Sequence, residues 1–224
     1  MSDTRNEIAD KLKFVGMDKA QMEALSEFKP LIAKTVGPAL DRFYEQATAN
    51  PETARHFRDK SHVAHAKQKQ VDHWGIIAEG RFNNEYIDGV TRIGKVHAKL
   101  GLEPKWYIGG YSLILEQLVT GIIEAELKGF GAGKKGKKAA RGVTAVVKAA
   151  LIDMDYAISV YLDELSQERA RAEQERERLK AEQDEALKII SSALDCLAEN
   201  DLEFRITESL PESFGAMAEN YNSA

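Results

Sequence analysis

Few residues in this chain have chemistry to offer, and the most telling is a histidine. Val90, Ile93, His97 and Leu100 fall at i, i+3, i+7 and i+10, which puts one imidazole in the middle of an apolar helical stripe. A neutral imidazole aimed into an interior either bonds a backbone carbonyl, as a core histidine does, or ligates a metal, as the axial histidine of a haem does. Spacing leaves both open. Tyr44 lies on the inner side of an amphipathic segment, near its end. Its hydroxyl either snorkels to the surface or donates a hydrogen bond inside a pocket. His62 and His65 suggest a two-histidine metal site, but a third ligand at matched spacing is missing and no Glu-x-x-His occurs, so a bundle di-iron centre has no support. These histidines, His73 among them, are expected mostly at the surface. The four lysines of Gly129 to Lys138 lack the spacing of a phosphate-binding loop and follow no strand, so they read as a solvated, flexible connection.

Helices must position these groups. A polar lead over 1–26 precedes a short helix around Lys19 to Phe28, and Ile8, Leu12, Phe14 and Val15 either dock on a core or form a loose extension. Pro30 to Ala49 carries a broad stripe of Leu31, Ile32, Val36, Ala39, Leu40, Phe43, Tyr44 and Ala47, and Asn50-Pro51 ends it. A second, more polar helix spans His56 to Ala78, with Ala66, Lys69 and His73 on one face and Gln70 flanking it. The helix bearing His97 opens near Asn84 and stops at Gly101, a residue able to take the left-handed conformation. Pro104 suits the first turn of the next helix, where its missing N–H has no partner to lose. That helix, to Lys128, is apolar on most sides, which predicts that a second subunit covers what a small domain leaves bare. Ala139 to Leu165 is another long helix, and from Ile158 to Leu197 apolar and small residues continue in steps of four and three, a heptad register weakened between Arg169 and Gln183.

Composition sets bounds. With 43% hydrophobic and 30% charged residues, 224 residues suffice for a globular core of one ordinary domain with some residues to spare. A net charge of −5 offers no general attraction for nucleic acid. One cysteine, a charged N-terminus and no long uncharged apolar run predict a cytoplasmic protein without a membrane span.

The stretch RIGKVHAKLGLEPKWYIGGY, residues 92–111, resembles the proximal-helix signature of the globin-coupled oxygen sensors, the sensor-globin family of haem-based aerotaxis transducers. It joins a V-H-x-K-L-G-L block to a P-K-W-Y block. The resemblance implies an all-α, globin-like fold over residues 1–165, then a helical or coiled-coil linker over 166–190. A relay-like segment over 191–224, D-L-x-x-R-I followed by L-P, is similar to the turn of signal-relay modules and is expected to stop before any output domain.

The same resemblance implies haem b, iron protoporphyrin IX, with His97 as the metal ligand. Tyr44, in its Phe-Tyr context, would donate to bound oxygen, with Tyr107 a second hydroxyl for the pocket. Phe43, Val90, Ile93, Leu100, Trp106, Tyr107, Tyr111 and Ile114 would wall the porphyrin. Distal contacts fall near Ala66 and Lys69, which depart from the bulkier apolar and small hydroxyl residues of the relatives; with Lys69 turned to a propionate or to solvent, Gln70 or His73 would stand nearest the ligand. The function implied is sensing of oxygen or another diatomic gas by a homodimer. It would pass the signal to a downstream protein or output domain, in aerotaxis or chemotaxis rather than catalysis. A globin-fold interaction module without haem, and a haem enzyme, are the alternatives.

Overall fold

A computed structural model describes residues 2–128 and 132–223, and every regular element among them is a helix. The order is α1 (Ser2–Phe14), α2 (Lys19–Glu27), α3 (Lys29–Ala49), α4 (Pro51–Ala54), α5 (Lys60–Ile77), α6 (Asn84–Leu100), α7 (Pro104–Leu127), α8 (Ala132–Ala198) and α9 (Glu212–Ser223). Two compact units divide the chain, residues 1–164 and residues 165–224, and α8 contributes to both.

Local chemistry sets the boundaries of the first unit. Asp18, Asp59 and Asn83 cap α2, α5 and α6, each side chain accepting from a backbone N–H three residues on. Gly101, at φ 63°, closes α6 in the left-handed region, and the Leu102 N–H returns to the His97 carbonyl at 3.0 Å. Pro104 opens α7.

The polar lead is helical: α1 buries Ile8, leaves Phe14 92% exposed, and is tied to α8 by the Lys11–Asp155 ion pair at 2.6 Å. The helix read from His56 starts four residues later, at Lys60, because Asp59 supplies its cap, and short α4 lies before it. Residues 129–131 of the expected basic connection lie outside the described residues, but Lys134 to Lys138 belong to α8. There the Lys138 ammonium meets Glu126 at 2.8 Å and Glu27 at 3.5 Å, which removes the reason to expect a solvated loop.

Ile32, Val36, Leu40, Trp74, Ile77, Tyr86, Val90, Ile114, Leu118, Val146 and Ala149 belong to one continuous apolar core of this unit. Close approach depends on glycine. A Cβ on Gly94 would lie 2.7 Å from both the Ala157 carbonyl oxygen and Val160 Cβ, so α6 crosses α8 almost backbone to backbone, one turn before His97. On Gly110 a Cβ would stand 2.6 Å from the Phe43 ring, which seats α3 on α7.

In the second unit Asn200, at φ 63°, ends α8, and the chain doubles back. Tyr221 donates to the Ala193 carbonyl at 2.7 Å, Asn222 brackets Ile206 with bonds of 2.8 and 2.9 Å, and Ser209, Leu210 and Pro211 lie beside Ala181 to Ile189. α9 therefore runs in the direction of α8, over buried Ala186, Ile190, Ala193 and Ile206.

Gly94→Ala is expected to lower stability by about 1–3 kcal/mol through overpacking at the α6–α8 crossing. Gly37→Ala, where an added Cβ meets nothing within 4 Å, is expected to raise it by about 0.5–1 kcal/mol. Urea unfolding of the two variants measures both.

Candidate functional site

His97 sits in the last turn of α6, half-buried, with its ring edge-to-face on Tyr107 at 4.8 Å. Neither ring nitrogen makes a hydrogen bond among the described residues. Burial, with a smaller contribution from nearby His56, holds its pKa down at about 4, and the Asp153 carboxylate acts in the opposite sense. At neutral pH the ring is thus uncharged, with a nitrogen lone pair available to a metal.

α3 and α7 bring the second set of groups. Phe43 lies against Gly110, one turn beyond Tyr107 on α7, so His97 and the end of α3 border the same stretch of that helix. Phe43 touches Tyr44 at 4.8 Å, Tyr44 touches Phe57 at 5.7 Å, and Phe57 touches His62 at 6.1 Å, a run of ring contacts across this end of the unit. Tyr44 is 6% exposed, and burial pushes its phenol pKa up, so it stays a neutral O–H donor. Its hydroxyl makes no hydrogen bond among the described residues.

The remaining residues singled out from sequence divide. Val90 and Ile114 are buried, and Ile93 and Ala66 pack against the same core. Gln70 is half-buried, and its side-chain oxygen is buried without a partner. Trp106 is half-buried under the Lys105 ammonium, Leu100 is 42% exposed, and Lys69 is exposed. No group of three histidine, cysteine or acidic side chains among the described residues is arranged to hold a metal ion.

His73 is a correction. Expected at the surface, it is 6% exposed, and its Nε2 lies 2.8 Å from Asp153 Oδ1. Asp153 is fully buried. Its other oxygen accepts from the Tyr111 hydroxyl in a short bond and from Tyr107 at 3.4 Å. Burial first, then this carboxylate, raises the pKa of both phenols. Tyr107 and Tyr111 therefore turn their hydroxyls to α8. Sequence reading passed over Asp153, although the signal was there: Val146, Ala150, Asp153 and Ala157 share one helical face, and a lone carboxylate in an apolar stripe demands partners.

An all-helical core with a neutral imidazole on α6 and a buried phenol on α3, both beside α7, defines a globin-like protein. The chain belongs to the Protoglobin family, whose model matches residues 4–167. It is 30% identical over 169 residues to the haem-based aerotactic transducer HemAT of Halobacterium salinarum, a match covering 72% of this chain and 34% of the transducer. The chain thus spans about a third of that relative's length. The globin domain of a Geobacter sulfurreducens globin-coupled sensor superposes with a TM-score of 0.60 at 20% identity, covering 68% of this chain and 96% of that one, a likeness of fold.

His97 gives stability a pH slope of known sign. Its folded value near 4 lies below the unfolded 6.5, so the unfolded chain binds more protons between them, and stability is lost as pH falls through that window. In ligand-free protein the wild type is expected to lose more stability between pH 7 and pH 4 than His97→Gln, measured by urea unfolding across that range.

Proposed function

We propose that this chain is a haem-based sensor of oxygen or another diatomic gas, with His97 holding the iron of haem b through Nε2. The observation that carries the reading is the half-buried, uncharged imidazole of His97, which makes no hydrogen bond among the described residues and packs on the same stretch of α7 as the end of α3 that bears Tyr44. The residues fit such a group. Val90, Ile93, Phe43 and Ile114 are apolar and gathered on that core, the Gln70 oxygen is buried without a partner, and the Tyr44 hydroxyl is free to donate. Haem, when bound, supplies reversible binding of a diatomic gas at the iron.

The chain's own residues do the rest. Tyr44 presents a neutral hydroxyl donor toward a gas in the pocket, and apolar neighbours keep water away, which strengthens that bond. Tyr107 holds the His97 ring from the side. Ala66, Lys69, Gln70, Leu100, Trp106 and Tyr111 complete the lining, Lys69 and Leu100 at its exposed edge.

Signal transfer runs through a homodimer in this reading. Ile108, Ile123 and Leu127 of α7 are 40–48% exposed and share a face, and Leu151 and Leu162 of α8 are 50 and 55% exposed on another. Together they suit an antiparallel four-helix interface with a second copy. The heptad register of α8 and the α8–α9 pair over 191–224 would act as linker and relay to an output in aerotaxis or chemotaxis, located in the cytoplasm. No helix of the described residues is long and apolar enough to cross a membrane.

A hydrogen bond that depends on the ligand contributes about 1–3 kcal/mol. Such a coupling biases a two-state dimer by roughly 5- to 150-fold. Purified protein supplied with haem is expected to show a Soret band that shifts with oxygen and with carbon monoxide, and His97→Ala is expected to lose the bound haem. For Tyr44→Phe, stopped-flow measurement is expected to give oxygen dissociation faster by about 5- to 150-fold, with carbon monoxide affinity little changed. A wild type without a Soret band, or an unchanged off-rate, removes His97 or Tyr44 from these roles.

A further inference from the structure

We propose that Asp153 is a positioning residue for His97: its buried carboxylate holds the Tyr107 hydroxyl and so fixes the ring against which the imidazole packs. This rests on His97 being the haem ligand. Asp153 lies on α8 and contacts neither the Tyr44 side of the pocket nor any lysine or arginine by hydrogen bond among the described residues. Its partners come from two other helices, His73 of α5 at 2.8 Å, and Tyr111 and Tyr107 of α7. Tyr86 of α6 places a buried hydroxyl close by, without a bond of good geometry.

The cluster is stiff. His73 stacks on Tyr86 with centroids 5.9 Å apart and planes 16° apart, and a Cβ on Gly89 would stand 3.1 Å from His73 Nδ1, so α6 backbone closes over the ring. Each carboxylate oxygen is occupied, which leaves Asp153 one orientation. Tyr107 is the bridge: its ring meets His97 at 4.8 Å and its hydroxyl meets Asp153 and Tyr111, each at 3.4 Å. Burying a carboxylate without a cationic lysine or arginine is costly, and an apolar residue of similar size would pack this core with less penalty. The carboxylate is therefore better explained by what it orients than by what it stabilises. Its negative charge also favours electron release from the imidazole toward the iron.

The test uses the full chain loaded with haem in four forms: wild type, Asp153→Asn, Tyr107→Phe and the double variant. Two readouts serve, the iron–imidazole stretching band of the ferrous, ligand-free protein by resonance Raman and the midpoint potential. Asp153→Asn is expected to move the band and shift the potential to more positive values. Tyr107→Phe is expected to move the band as well, and the double variant to shift less than the sum of the singles, because one acts through the other. Should Asp153→Asn not fold, Tyr107→Phe decides alone, since it leaves the carboxylate and its other donors in place. Unmoved band and potential in the folded variants, or additive shifts, overturn the role of Asp153 while leaving His97 as ligand. Haem uptake that survives unchanged in His97→Ala overturns the ligand reading itself, and this inference with it.

Discussion

A carboxylate sealed from water needs donors within reach, and that requirement organises the first unit of this protein. Asp153 draws one ring from α5 and two phenols from α7 onto α8. Apolar packing alone tolerates small rotations of a helix about its axis, because one methyl group replaces another at little cost. A hydrogen-bonded carboxylate does not, since a donor moved away leaves buried polar atoms unpaired. The network thus sets the rotation of α5, α7 and α8 about their axes, and with it the faces these helices turn to the core.

Beside the polar cluster stands a steric one. Gly94 lets α6 touch α8 at Ala157 and Val160, and Gly110 lets Phe43 of α3 touch α7. These two approaches flank His97 and Tyr44. A side chain at either glycine would push apart the helices that bear the imidazole and the phenol. The spacing of these helices is therefore set by absent side chains as much as by present ones.

The family match ends at residue 167, close to residue 164 where the first compact unit ends, and the Halobacterium transducer is about three times longer than the matched portion. What this chain shares with its relatives is thus the globin part. The apolar residues left exposed on α7 and α8 lie away from the core that holds Asp153, so core and exposed faces occupy opposite sides of the same two helices.

Much of this was readable along the chain. Periodicity, prolines and glycines determined the all-helical class, the ends of α3 and α6 and the start of α7, because caps and stripes depend on residues within one or two turns. The apolar stripe determined that His97 faces inward, and the Trp-Tyr pair after Pro104 that aromatic rings come next. Only the tertiary structure decided which groups answer one another over 40 to 80 residues. It tied His73 to Asp153, turned the Tyr107 hydroxyl to the same carboxylate, and made Gly94 a helix crossing. Spacing reports the face a side chain occupies. What stands opposite that face depends on how helices rotate and cross, and that is settled by the sum of burial and hydrogen bonding across the whole core.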